Sequence, residues 1–367
     1  MGAVTIAIAN VPVSDAPRYI IVGAGAIGGT LGGVLARAGI PVVLIARGNH
    51  AKALATGGIV LRTPDETCRV PVETASSPHD VHLTPRDVLV FATKSQQLDA
   101  ALQEWTDVPV RDGDREIGTA GETLPVLTAL NGIAAEEKAL RYFRRVFGVC
   151  VWMPALHLTP GEVIVRSWPV AGQFHVARWP ASLHTGDDDE LLARLAATWT
   201  PAGVRVQLPS DVAPWKYNKL LSNLANAVGA LAGSDGETAE LQAVAQREGE
   251  AVLRHAGIDF VPFAVSDAAR ADGPTPRPVP GAGAAMTNST WQSLNRNTGN
   301  AETDFLNGEI VRIAHRHGIG APVNAGLATL MRKAVREGAG AGAYSAAALA
   351  SALGLTVGAG ADPDRSV

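Results

Sequence analysis

The sequence predicts an α/β chain in which a doubly wound, parallel-sheet N-terminal half is followed by an all-α C-terminal half. Three observations support that class. Four short apolar runs, at residues 18–22, 41–46, 88–92 and 124–130, are separated by helical or loop segments, the pattern of parallel strands covered on both faces. Glycines cluster directly after the first run and lead into a helix over residues 30–38. Beyond residue 209 the pattern changes to long amphipathic helices, and 367 residues are too many for one ordinary core.

The remaining elements follow in order. Residues 107–122 are charged and glycine-bearing, and read as a surface insertion. Between residues 146 and 176 several β-rich runs, broken at 159–161, predict antiparallel strands that finish the sheet. Asp187, Asp188, Asp189 and Glu190 open a helix, where acidic groups favour the positive N-terminus; they read as capping and solvation, with no metal site. Residues 272–287, rich in Pro, Gly and Ala, predict a loop. The expected organisation is an extension (1–17), a sheet domain (18–209), a helical domain (210–345) and a loosely held tail (346–367).

Composition narrows the function classes. A net charge of −4 gives no electrostatic footprint for nucleic acid. Two cysteines, Cys68 and Cys150, cannot form a disulfide framework or a zinc site and point to a reducing compartment. The apolar run at residues 4–9 lacks a basic leader, and no stretch approaches the roughly 20 apolar residues that span a bilayer. The expectation is a cytoplasmic protein acting on small molecules. None of the nine histidines falls inside a motif described below, and there is no G-x-S-x-G nucleophile elbow.

Gly23-Ala-Gly25-Ala26-Ile27-Gly28 follows the first strand and opens the first helix. In a G-x-G-x-x-G turn the first glycine allows the tight bend. The second lets a pyrophosphate approach the backbone, and the third lets helix pack on strand. The helix N-terminus, through Ala26 and Ile27, then offers unpaired N–H groups to the phosphates. This makes the first half a Rossmann-type dinucleotide-binding domain. The second strand ends at Arg47 where an acid would bind a ribose 2′-hydroxyl; a guanidinium suits a 2′-phosphate, so the expected cofactor is NADP.

Residues 213–231 form a helix of unusual polarity. At about 100° per residue, Trp215, Lys219, Asn223 and Asn226 share an arc of roughly 80°. Tyr217, Leu220, Leu221, Leu224, Val228 and Leu231 make the opposite, core-facing stripe. Asparagine is a poor helix former, so two carboxamides aligned with a cation suggest hydrogen bonding to a ligand. A lysine facing a cleft can protonate the oxygen formed when hydride reaches a carbonyl carbon. Glu302, further on, reads from its residues alone as the cap of a helix that starts there.

Gly23 to Gly28, Arg47, Lys94, Asn131-Gly132, Lys219 with Asn223, Ser289 with Gln292, and Glu302 with Asp304-Phe-Leu-Asn-Gly308 resemble, in order, the motifs of the ketopantoate reductase (2-dehydropantoate 2-reductase) family over residues 18–335. The resemblance implies an NADP-dependent oxidoreductase of pantothenate biosynthesis. It assigns Gly23, Gly25, Gly28, Arg47 and Lys94 to the cofactor and puts Asn131 where nicotinamide meets substrate. Lys219 becomes the general acid, Glu302 its partner near the reacting oxygen, and Asn223, Asn226 and Ser289 the substrate's ligands, with homodimerisation an analogy from such folds. Three features depart from the family pattern: Ala227 stands where an asparagine is common, Trp215 lies four residues before the lysine, and the Ser289–Glu302 spacing is one residue longer. Alternatives are a relative acting on another ketone or 2-oxo acid, and a non-catalytic NADP-binding sensor.

Overall fold

The protein is described by a computed structural model over residues 16–233, 237–282, 290–291, 294 and 302–355. In chain order the first strands are β1 (Arg18–Val22), β2 (Val42–Ile45), β3 (Ile59–Arg62), β4 (Thr67–Val70), β5 (Glu73–Ala75), β6 (Asp87–Phe91) and β7 (Pro109–Asp112). The others are β8 (Arg115–Thr119), β9 (Pro125–Thr128), β10 (Arg145–Trp152), β11 (Ala155–Leu156), β12 (Glu162–Val165), β13 (Gly172–Trp179) and β14 (Val204–Gln207).

Eight strands make one sheet in the order β14-β13-β10-β9-β6-β1-β2-β5. From β5 to β10 every pairing is parallel, and the strand order is that of a doubly wound dinucleotide-binding fold. The four predicted apolar runs are β1, β2, β6 and β9. Their side chains alternate between two cores: Tyr19, Ile21, Leu44 and Val90 enter one, while Ile20, Val22, Val43, Leu89 and Phe91 enter the other. That two-sided burial is why these strands carry continuous apolar runs.

The finishing strands differ in part from the sequence expectation. β13 runs antiparallel to β10 as expected; β14, beyond the predicted runs, is parallel to β13. β11 and β12 leave for a separate sheet of order β11-β12-β3-β4. An apolar run announces a strand but not the sheet it joins. The charged 107–122 segment is a β7–β8 hairpin followed by a short helix, and most of its polar residues are exposed. The acidic helix start is a capping box: Thr185 and Asp188 satisfy each other's backbone at the head of helix Gly186–Trp199, and Asp188 accepts from Arg145 at 2.7 Å.

The chain divides into two compact units, Met1–Asn218 with Phe260–Ala285, and Lys219–Asp259 with Met286–Val367. The sequence places a single boundary at 209/210; the unit boundary instead cuts through the helix Ala213–Asn223. Burial explains this. Lys216 (2% exposed) pairs with the fully buried Glu136, so the head of that helix is fastened inside the first unit. The segment from Phe260 then returns there as a strap. Arg277 donates to the Arg166 carbonyl and pairs with Asp65 at 2.9 Å, Arg62 donates to the Pro280 carbonyl at 2.5 Å, and Val279 is buried with Leu156 and Ile164. The described part of the 272–287 loop is therefore an anchored strap.

The second unit is helical: Ala225–Ala232, Ala239–His255, Asn307–Arg316, Pro322–Glu337 and Ala346–Ala352 follow the end of the 213–223 helix. Its core holds the predicted stripe of Leu220, Leu221, Leu224, Val228 and Leu231, all buried, although Tyr217 is only half-buried. The expected loose tail is corrected for its first turns. Helix Ala346–Ala352 is capped by Ser345 and buries Leu349 and Ala350, and the Gly342 and Tyr344 amides donate to the Ala230 and Leu231 carbonyls. Alternation in an Ala-rich segment is too faint to reveal that docking. No helix among the described residues is long and apolar enough to cross a membrane.

Candidate active site

In the first unit the register aligns four strand ends. Val22 of β1 pairs with Ile45 of β2 and with Phe91 of β6, and Phe91 pairs with Thr128 of β9. The residues that follow these ends are the glycine turn, Arg47, Lys94 and Asn131. All four predicted elements thus emerge from one edge of the sheet, where the strand order reverses between β1 and β6.

The glycines divide the work sterically. Gly23 has φ +104°, and a Cβ there would lie 3.0 Å from the Ala92 and Thr93 backbone. A Cβ on Gly28 would lie 2.1 Å from the Gly23 carbonyl oxygen, so only glycine lets the helix seat on the turn. A Cβ on Gly25 would meet nothing within 4 Å. Helix Ala26–Arg37, which Gly25 caps, has no side-chain cap and no acid in its first turn. Free space over Gly25 beside an uncapped N-terminus is what a pyrophosphate needs. The fold itself does not require glycine at that position, so the residues fit a dinucleotide.

Arg47, 68% exposed, forms an ion pair with Glu104 of helix Leu98–Thr106 at 2.5–2.7 Å. Lys94 is exposed just past β6. Asn131 follows Leu130, whose carbonyl accepts from the Lys216 ammonium at 3.4 Å. Lys216 also donates to the Val149 carbonyl at 3.3 Å and to Glu136, whose same oxygen accepts from Thr128 at 2.6 Å. This buried ion pair, missed by sequence reasoning, braces the end of β9 against the middle of β10. Its signal was present: a lysine directly after the tryptophan of the polar helix, off the Lys219 stripe.

Trp215, assigned from sequence to the polar stripe, stacks on His175 with ring centroids 3.9 Å apart. His175 is 1% exposed, and neither ring nitrogen has a hydrogen-bond partner. Burial, reinforced by the charge of Arg270, pushes its pKa down to about 4. Neutral in the fold and protonated when unfolded, it supports stability fully above about pH 6.5. That support is lost as pH falls through about 4, by up to about 3 kcal/mol. Melting temperatures between pH 7 and 4 should therefore fall less for His175→Phe than for the unmodified protein.

In the second unit Lys219 and Asn223 lie one turn apart on the same helix, and Asn226 donates to the Asn223 side-chain oxygen at 3.5 Å. The single helix expected over 213–231 is interrupted at Leu224. There the Leu224 carbonyl accepts from the Asn307 carboxamide at 3.2 Å. Asn307 donates to Asn324 at 2.9 Å, and Asn324 donates to Glu248 at 2.9 Å. Glu248 also accepts from the amides of Val323 and Asn324, closing the head of helix Pro322–Glu337. This buried polar chain sets the helix break next to Asn223. Glu302 opens a short 3₁₀ turn, Glu302–Phe305, that leads straight into the helix bearing Asn307. Ser289 lies outside the described residues. No group of three or more His, Cys, Asp or Glu that could hold a metal ion occurs among the described residues.

Comparison with known proteins agrees with this architecture. The family described as "Ketopantoate reductase PanE/ApbA" matches residues 19–180, and "Ketopantoate reductase PanE/ApbA C terminal" matches residues 211–335. A 2-dehydropantoate 2-reductase of Pyrococcus horikoshii is 26% identical over 331 residues, covering 88% of this chain and 99% of that protein. The crystal structure of a PanE/ApbA family ketopantoate reductase from Ralstonia eutropha superposes with a TM-score of 0.68 at 26% identity, covering 87% of this chain and 99% of that one. The ternary structure of D-mandelate dehydrogenase with NADH and anilino(oxo)acetate shares the fold, with a TM-score of 0.70 at 19% identity over 87% of this chain and 99% of that one. The two family matches fall on the two halves of the chain, and with them this chain belongs to the ketopantoate reductase family, oxidoreductases acting on CH–OH groups.

Proposed function

We propose that this protein reduces a 2-oxo acid to the 2-hydroxy acid with NADPH, and that the substrate is 2-dehydropantoate. The observation that carries the reading is the set of register-aligned strand ends bearing the glycine turn, Arg47, Lys94 and Asn131 in a chain of this family. The dinucleotide supplies a hydride to the carbonyl carbon. The glycine turn and the Ala26–Arg37 helix N-terminus hold its phosphates, and Ala26 and Ile27 offer backbone amides there. Arg47 takes the 2′-phosphate in exchange for Glu104; an exposed ion pair contributes little, so the exchange costs little. Lys94 adds positive charge beside the cofactor, and Asn131 meets the nicotinamide and the substrate.

Lys219 donates the proton that completes the hydroxyl, and its charge stabilises the oxygen as it turns anionic. Glu302 hydrogen-bonds near that oxygen and orients Lys219. Asn223, Asn226 and Ser289 hold the substrate, Ser289 at its carboxylate. Following NADPH absorbance with a panel of 2-oxo acids tests the reading. Turnover of 2-dehydropantoate is expected, and turnover of no 2-oxo acid overturns it. Arg47→Ala should raise the KM for NADPH about tenfold, from lost charge-assisted hydrogen bonds, and leave that for NADH unchanged. A second reading, another 2-oxo acid or ketone, is favoured by Ala227, buried where the family carries a carboxamide. Activity confined to other members of the panel would select it.

A further inference from the structure

His50, on the helix Gly48–Gly57, belongs to none of the motifs above, yet both its ring nitrogens are engaged by backbone. The Gly161 amide donates to Nδ1 at 2.8 Å, and Nε2 lies 2.8 Å from the Ala24 carbonyl oxygen. An amide only donates and a carbonyl only accepts. Nδ1 must therefore carry the lone pair and Nε2 the proton, so the two bonds together fix one neutral tautomer.

Ala24 is the residue between Gly23 and Gly25. Its amide donates to the Ile45 carbonyl at 3.1 Å and its carbonyl accepts from His50, so both its polar groups are tied down. Gly161, at φ +80° in the turn between β11 and β12, is tied in its own way. Its carbonyl accepts from Val60 of β3 at 2.8 Å, and a Cβ on it would lie 3.0 Å from that of Ala53. One imidazole thus joins the glycine turn of the large sheet to a fixed turn of the small one.

We propose that His50 is a positioning residue for the dinucleotide: it holds the Ala24 peptide so that the amides beyond Gly25 stand ready for the pyrophosphate. The inference rests on the dinucleotide reading above. Because only the neutral ring can accept from Gly161, protonation sets two N–H groups against each other and releases the turn. The groups facing His50 agree with a neutral ring. The β11–β12 segment presents His157, ring centroids 4.2 Å apart, and the glycine turn and Gly161 present backbone alone; Arg47 of the adjoining helix start is paired with Glu104. Burial, with the nearby His157, pushes the His50 pKa below its ordinary value.

The test is calorimetric titration of the full-length protein with NADP+ at pH 7.5 and pH 5, for the unmodified chain, His50→Gln and His50→Leu. Glutamine can donate to Ala24 and accept from Gly161 but does not titrate. It should bind within about threefold of the unmodified protein at pH 7.5, whereas leucine should bind about tenfold more weakly. On acidification the 2′-phosphate changes charge equally for every variant. The added loss in the unmodified protein relative to His50→Gln is therefore the reading, expected at about threefold or more. Equal acid losses for those two would overturn the proposal, and this comparison stands even if the leucine variant does not fold. Leucine binding as tightly as histidine at pH 7.5 would also overturn it. Failure of the unmodified protein to bind NADP+ or NAD+ would instead sink the dinucleotide reading itself.

Discussion

Lys219→Ala should lower kcat by about 10²–10⁴-fold, the range in which positioned proton donors act, with the cofactor's Kd within about twofold of the unmodified protein's. The separation is expected because Lys219 lies in the second unit, whereas the glycine turn, Arg47 and Lys94 belong to the first. Lys219→Arg refines the result. Arginine keeps the positive charge but does not release a proton in the working pH range. If the proton transfer matters, Lys219→Arg should stay far below the unmodified enzyme, with a KM for the 2-oxo acid closer to normal than that of Lys219→Ala. Recovery of Lys219→Arg to within tenfold of the unmodified kcat would mean that charge stabilisation alone suffices, and the general-acid role would fall.

Lys216→Met should cost about 3–5 kcal/mol of stability, since it leaves the carboxylate of Glu136 buried without its cation. The second oxygen of Glu136 already has no hydrogen-bond partner, so little remains to compensate. For a unit of this size that corresponds to a drop in melting temperature of roughly 10 °C. Lys216→Met with Glu136→Leu should recover most of the loss, because replacing both members of a buried pair with apolar side chains is often neutral or stabilising. Melting curves of the two single variants and the double variant check this. A Lys216→Met protein that melts with the unmodified one would show that the pair holds nothing together.

Sequence reveals some parts of this molecule and hides others for physical reasons. The strands β1, β2, β6 and β9 are legible because burial on both faces demands unbroken apolar runs. The glycine turn is legible because two of its positions, Gly23 and Gly28, are sterically compelled. Lys216 stands out as a lysine off the Lys219 stripe, but its role and that of His50 are not legible, because each depends on a partner far along the chain: Glu136 in one case and Gly161 in the other. Arg47 is readable as a residue type. Its partner Glu104 comes from a different helix, and nothing near Arg47 in sequence announces it. The Leu224 break is hidden likewise, since the carboxamide that takes the Leu224 carbonyl belongs to Asn307.

The strap from Phe260 to Ala282 gives the first unit a timetable. A nascent chain emerging from the ribosome can assemble β1 to β14 once residue 207 is out, and Lys216 reaches Glu136 shortly afterwards. The partners that Asp65, Arg166 and Leu156 meet on the strap have not yet been synthesised at that point. At about 5–20 residues per second the wait lasts several seconds. During it the small sheet presents the apolar seat of Val279 to whatever is near. A co-translational chaperone would have most effect within that interval, and slow codons ahead of residue 277 would lengthen it.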